Sequence, residues 1–311
     1  MPLDRILRSL IAWQRADGPP VAARDLTVEQ ARELYRANAI RPRRTDDAVI
    51  AFDRTLDADD GTTFRCRVYQ PGSDEGRVIT YLHGGGWVVG DVDSHDRLCR
   101  DLAEALGAVV VSADYRRAPE FPYPAPLLDA VAATRWTSRS FPGHDHVIAG
   151  DSAGASLALG VAMVLRDAGD VELAGQLLLY PPVDPSLRFA AAGEHAEGYL
   201  LSADDMEWYY GLYAPDPRQR REPALDLLGA DLRSLPPAVV ATAEFDPLHD
   251  EGVELVAKLG VSDVPVRHVP GPGLVHGYFL MRDLVPSAEK CAQRVFHELD
   301  TVLRLARTPK Y

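Results

Sequence analysis

The chain has 311 residues, 46% hydrophobic and 25% charged, which is enough apolar material for a large core and too much for a disordered or collagen-like chain. A formal net charge of −13 repels nucleic acid and anionic membrane surfaces at long range, so neither is an expected partner. Three widely spaced cysteines, Cys66, Cys99 and Cys291, form no C-x-x-C pair, which argues against a disulfide framework or a zinc site and for a reducing, cytoplasmic setting.

Residues 1–45 read as a helical segment. The opening "MPLDRILRSLIAWQRADG" is broken by Arg5, Arg8 and Arg15 and has no small-residue cleavage pattern, so it is not expected to act as a secretion signal. "LTVEQARELYRANA" places Val28, Ala31, Leu34 and Tyr35 at helical spacing. The basic clusters "RPRR" at 41–44 and "RQRRE" at 218–222 read as solvated loops. No apolar segment approaches the roughly 20 residues that a membrane span requires.

From about residue 47 the pattern changes to short apolar, β-branched runs. In order these are "AVIAF", "TFRCRVY", "RVITYLHGG", "AVVVSADY", "HVIAG", "QLLLYPP", "PAVVATAEF" and "VPVRHVP", and helical stretches separate most of them from the third onward. The alternation predicts an α/β fold with a mostly parallel eight-stranded sheet covered by helices on both faces. Only the turn "DADDGT" parts the first two runs, which predicts an antiparallel hairpin ahead of the parallel part. The core therefore spans 46–184 and 235–311, and the tyrosine-rich segment 185–234 reads as a helical insertion. There is no internal repeat.

Two motifs carry chemistry. In "HVIAGDSAGASLALG" Ser152 sits between Gly150 and Gly154, where a buried strand turns directly into a helix, and small neighbours permit a strained turn that exposes its hydroxyl. A G-x-S-x-G pattern arises by chance roughly 0.1 times in a chain this long, so it needs company. "YLHGGGWVVGD" supplies it: His83, Gly84, Gly85 and Gly86 follow the third run, where unobstructed backbone N–H groups can face the serine. Gly84, Gly85 and Ala153 are the expected oxyanion donors.

A serine nucleophile needs a base and a carboxylate to hold the base's tautomer. His276, in "GPGLVHGYFL" after the last run, is the expected base, with His249 its rival. Asp246 ends the seventh run and is the expected acid, whereas Asp250 and Glu251 fall a turn later on a helix. Met206, Tyr209, Tyr210 and Tyr213 share helical spacing in the insertion, a stripe that by itself reads as plain core; the substrate-pocket reading, which adds Trp87 and Tyr278, draws on the resemblance given below. Such a pocket would suit short or cyclic acyl groups.

Together "HGGGW", "DYRRAPEFPYPAP", "GDSAG", "DPLHDEG" and "HGYF", in this order from about residue 77 to the C-terminus, make the chain resemble the bacterial hormone-sensitive-lipase-type carboxylesterases. The resemblance implies an α/β-hydrolase fold with a helical cap built from 1–45 and 185–234. It also implies hydrolysis of small to medium esters without a cofactor or metal, with Ser152, Asp246 and His276 as the triad and Gly84 and Gly85 as oxyanion glycines. Such folds often form homodimers. The chain departs from the pattern in Arg117 and in the glycine- and proline-rich approach to His276. An amidase, lactonase, thioesterase or acyltransferase would use the same triad, and a non-catalytic binding protein would be marked by loss of a triad member.

Overall fold

A computed structural model describes residues 1–16, 21–39, 48–193 and 195–307 of the chain. The basic cluster at 41–44 lies outside the described residues. Eight strands form one sheet: β1 (Val49–Asp57), β2 (Thr63–Pro71), β3 (Arg77–Leu82), β4 (Val109–Ala113), β5 (Asp145–Asp151), β6 (Gly175–Leu179), β7 (Ala238–Phe245) and β8 (Val266–Val275). Their spatial order is β1-β2-β4-β3-β5-β6-β7-β8. β1 pairs antiparallel with β2, and β2 with β4, while every pairing from β4 to β8 is parallel. Each expected apolar run is a strand, and the opening hairpin is antiparallel.

The helices are α1 (Arg5–Gln14), α2 (Val28–Asn38), α3 (Asp96–Leu106), α4 (Ala125–Ser140), α5 (Ala153–Ala168), α6 (Arg188–Ala192), α7 (Ala203–Tyr213), α8 (His249–Val261) and α9 (Pro286–Arg307). Successive strand residues face opposite sides, so each strand feeds two cores. Ile79, Val147, Leu177 and Val239 pack towards α1, α3 and α9. Val78, Ile148, Leu178 and Val240 pack towards α4, α5, α7 and α8. The three cysteines are buried and unpaired. Among the described residues no helix is long and apolar enough to cross a membrane.

Two contacts set where the functional loops stand. The turn from β5 into α5 is so tight that a Cβ on Gly150 would overlap the Gly154 backbone, and one on Gly154 would overlap the carbonyls of Leu82 and His83. The loop after β4 is tied to α4 by Arg116, whose guanidinium grips the buried Asp129 at 2.8 and 2.7 Å and reaches Asp60 in the hairpin turn at 2.7 Å.

The N-terminal and inserted segments meet each other and the loop after β3. The Ala23 N–H donates to Asp205 Oδ1 at 3.0 Å, Arg15 to the Gly198 carbonyl at 2.9 Å, and Arg24 pairs with Asp204. Arg32 on α2 donates to the carbonyls of Val88 (2.9 Å) and Ala118 (3.0 Å) and takes Glu120 in both oxygens at 2.7 Å. One flexible residue thus fastens α2 to two loops of the core. In "RQRRE", Arg220 pairs with Glu207 at 2.9 Å on both oxygens, so this cluster is partly engaged rather than wholly solvated.

Gly154→Ala is expected to lower stability by about 3 kcal/mol or more, because the clash falls on backbone that cannot move aside; urea unfolding measures it. The Arg32 guanidinium, hydrogen-bonded to both oxygens, holds Glu120 down at about 2 from an ordinary 4.5. A depressed carboxyl stabilises fully above its unfolded value and loses that contribution as pH falls through its folded value. Glu120 is half exposed, so Glu120→Gln is expected to cost up to about 1 kcal/mol near neutral pH, with the difference shrinking below pH ~4.5 and more than half gone by pH ~3. Urea titrations of the two proteins across that range measure it.

Candidate active site

Ser152 stands at the top of the turn between β5 and α5 with φ 52° and ψ −126°, a conformation that non-glycine residues adopt only under constraint. The constraint is the glycine pair on either side, which lets strand and helix approach almost to contact. The Ser152 N–H donates to the Leu179 carbonyl at 2.8 Å, which leaves the hydroxyl facing out at the sheet's C-terminal edge.

His276 follows β8 and Asp246 follows β7, and the parallel pairing of those strands brings both to the same edge. His276 Nδ1–H donates to Asp246 Oδ2 at 2.7 Å, and Ser152 Oγ–H donates to His276 Nε2 at 2.9 Å. The second Asp246 oxygen accepts the Leu248 N–H at 2.9 Å, so the carboxylate is 2% exposed yet satisfied on both oxygens. Because the Asp246 carboxylate can only accept, it takes the Nδ1–H and leaves Nε2 to face the serine hydroxyl. Tyr180, just after β6, packs its ring edge-to-face against His276 with centroids 4.8 Å apart. Sequence reasoning passed over Tyr180; its place directly after an apolar strand is the signal that could have found it.

The rival His249 lies on the first turn of α8 and bonds to its neighbour Asp250 at 2.9 Å, away from serine. Glu251 is fully buried and accepts the Val183 N–H at 2.8 Å; burial pushes its carboxyl well above the usual range.

The loop after β3 corrects one expectation. The Gly84 N–H, expected to serve an oxyanion, donates to Asp151 Oδ1 at 2.9 Å. Asp151 packs so closely that a Cβ on Gly84 would overlap its carboxylate. Among the described residues the N–H groups of Gly85, Gly86 and Ala153 donate to no protein acceptor, whereas that of Gly84 is engaged. His83 is neutral, pushed down to about 3 by burial and by the neighbouring His95, and its Nδ1–H donates to the Gly84 carbonyl at 2.8 Å.

The expected pocket residues divide. Tyr209 is half buried, and its ring lies directly on Gly86, where a Cβ would overlap it. Trp87 is 1% exposed and stacks on Tyr213 at 4.5 Å with planes 9° apart, with Tyr210 beside it at 4.9 Å. Met206, Tyr210 and Tyr213 recur at helical spacing on the core face of α7, closed to solvent. Tyr278 is also fully buried, against Cys291 and Tyr180. These five are closed to solvent and offer a ligand almost no surface; on α7 the helix turns the stripe inward and leaves Tyr209 alone at its margin. The departure Arg117 donates to the Gly90 carbonyl and so holds the far end of the same loop.

A charged cleft of about 600 Å³ between α3 and α9 is lined by none of these residues. Its arginines are engaged by acids, as in Arg77 with Asp300 at 2.6 Å and Arg282 with Glu289 at 2.7 Å, so the chemistry belongs to the sheet edge and not to this cleft. Among the described residues no group of three or more metal-ligating side chains occurs.

The arrangement can activate a hydroxyl, hold the resulting imidazolium and offer N–H donors beside the attacked carbon. Comparison with known proteins agrees in kind. The model of the alpha/beta hydrolase fold family matches residues 79–280. An ethyl acetate hydrolase of Pseudomonas putida is 34% identical over 90% of this chain and 92% of its own length. The carboxylesterase NlhH of Mycobacterium tuberculosis is 36% identical over 94% and 93%. Among solved structures, the hyperthermophilic esterase of the archaeon Pyrobaculum calidifontis superposes with a TM-score of 0.86 at 33% identity, covering 97% of this chain and 99% of that one. By fold, by motif order and by these relatives, the chain belongs to the alpha/beta hydrolase fold family.

Proposed function

We propose that the protein is a serine carboxylesterase of the hormone-sensitive-lipase type that hydrolyses small esters through an acyl-enzyme. The observation that carries this reading is the unbroken hydrogen-bond chain Ser152, His276, Asp246 at the edge where the N–H groups of Gly85, Gly86 and Ala153 are unengaged. Ser152 Oγ attacks the ester carbonyl as His276 Nε2 takes its proton. The oxyanion that forms is met by the Gly85, Gly86 and Ala153 N–H groups. His276 returns the proton to the departing alcohol, and water activated by the same nitrogen releases the acid. Asp246 keeps Nδ1 protonated and stabilises the charged ring. Every step uses groups of this chain.

The segments around α1, α2 and α7 form the cap, with Tyr209 bounding the site over Gly86. Ser152 is only 9% exposed, so access is narrow, and the ethyl acetate hydrolase relative acts on a two-carbon acyl ester; both favour short acyl groups. Three buried, unpaired thiols and the lack of a membrane-crossing helix among the described residues accord with work in a reducing cytoplasm.

Hydrolysis of p-nitrophenyl esters from acetyl to palmitoyl tests the reading. The expected result is a rate that falls as the acyl chain lengthens, and a kcat at least ~10⁴-fold lower in Ser152→Ala at equal folded concentration. Asp246→Asn is expected to cost about 10⁴-fold, because it favours the wrong imidazole tautomer. Equal turnover by Ser152→Ala would refute the nucleophile, and a rate climbing steadily to palmitoyl would refute the short-acyl site.

A further inference from the structure

Three glycines in a row give the loop after β3 more backbone freedom than any other tripeptide, yet two of its N–H groups must hold one direction. Nothing in the side chains of Gly85 (φ 117°) or Gly86 (φ 58°) can do this. The aim has to come from the peptide units themselves. The cis bonds recorded among the described residues lie elsewhere, so these units are trans, and in each the C=O and the following N–H point in opposite directions.

The loop can then be followed unit by unit. In the His83–Gly84 unit both ends are gripped: Tyr115 O–H donates to the His83 carbonyl at 2.6 Å, and the Gly84 N–H donates to Asp151 Oδ1 at 2.9 Å. In the next unit the Gly84 carbonyl accepts His83 Nδ1–H, which turns the Gly85 N–H to the opposite side. In the third the Gly85 carbonyl accepts the N–H groups of Val88 (3.0 Å) and Val89 (2.8 Å), which does the same for the Gly86 N–H. Each unit is thus held by hydrogen bonds of its own, and the first anchors the run where it leaves β3.

The two grips are themselves fixed. Asp151 is 2% exposed, and the oxygen that takes Gly84 also accepts Tyr81 O–H at 2.6 Å and faces His95 Nε2 at 3.3 Å. Burial works to raise this carboxyl, and His95, Tyr81 and the Gly84 N–H together hold it below the usual carboxylate range, so it is an anion and an acceptor only. Tyr115 stacks on the His83 ring at 4.2 Å with planes 9° apart, so it sets both the His83 carbonyl and the ring that holds Gly84. Asp151 immediately precedes Ser152, so the residue leading into the nucleophile also holds the loop opposite it.

We propose that Asp151 and Tyr115 are positioning residues that clamp the His83–Gly84 peptide from its two ends, keeping the Gly85 and Gly86 N–H groups aimed at the oxyanion formed on attack by Ser152. The inference rests on the esterase reading above; neither residue touches the substrate.

A scaffold role and a clamp role differ in what they move. Loss of scaffold lowers the amount of folded enzyme and leaves each active site as fast as before. Loss of aim lowers kcat and weakens a tetrahedral analogue while KM holds, because the donors act on the charge that develops in the transition state. The experiment uses the full chain with Asp151→Asn and Tyr115→Phe, alone and together. Its readouts are p-nitrophenyl acetate kinetics per phosphonate-titrated site, inhibition by a trifluoromethyl ketone, and hydrogen exchange at the Gly84 to Gly86 amides.

The expected result is a kcat lower by roughly 10-fold to 100-fold in each variant, since a misaimed donor costs at most what an absent one does. KM stays within about twofold, ketone affinity falls by the same factor as kcat, and Gly85 and Gly86 exchange faster. The double variant falls by less than the product, because both act on one peptide unit. Unchanged kcat per titrated site and unchanged ketone affinity in both variants would overturn the proposal, as would a change confined to KM. Tyr115→Phe removes a single oxygen and decides the matter if Asp151→Asn does not fold. Failure of the esterase reading has a separate signature, a wild type with no ester turnover and no phosphonate labelling, and amide exchange then decides the clamp by itself.

Discussion

The backbone of Gly154 lies against the carbonyls of Leu82 and His83 with no room for a single added carbon. That contact joins the first turn of α5 to the end of β3, and the rest of the site is arranged around it. It forces Ser152 into its positive-φ turn, places the Ala153 N–H beside the glycine loop, and leaves Asp151 pointing at Gly84. The parallel sheet then does the remaining placement. Because β5, β7 and β8 run the same way, the residues after them emerge at one edge, and Asp246 and His276 meet although 30 residues separate them.

Asp246, Asp151 and Glu251 are among the acids buried around this edge, and the protein treats each of them differently. Burying a carboxylate is costly unless donors replace its water. Asp246 gives one oxygen to His276 and the other to the Leu248 N–H, so it orients a ring. Asp151 gathers Tyr81 and Gly84 on one oxygen and orients a backbone. Glu251 accepts the Val183 N–H on one oxygen, and burial raises its carboxyl well above the usual range.

The sheet was legible because buried parallel strands are continuous apolar runs, and each of the eight quoted runs has a strand at its place. That Ser152, Asp246 and His276 stand together was legible from order and context, since each follows a strand directly. The fate of Gly84 was not, because it turns on the direction of one aspartate side chain across the sheet. Periodicity put Met206, Tyr209, Tyr210 and Tyr213 on one helix, but spacing cannot say which side of a helix faces the core, and only Tyr209 escapes it. The glycine- and proline-rich approach to His276 stood outside the last apolar run. It is the end of β8, tolerated because an edge strand needs only some of its N–H groups and because the register with β7 shifts between Ala243 and Phe245.

The buried cysteines have a use beyond packing. Cys66 and Cys99 are fully enclosed and Cys291 nearly so, and burial pushes the Cys66 thiol up to about 12, where almost none of it is the reactive thiolate. The surface is therefore free of native thiols. A cysteine introduced on the outer side of α2, at the exposed Leu34, would take a spin label or fluorophore cleanly in the otherwise unaltered chain. The distance from that label to a second on α7 could then be followed with and without added ester, which opens the relative placement of α2 and α7 to direct spectroscopy without first engineering the core.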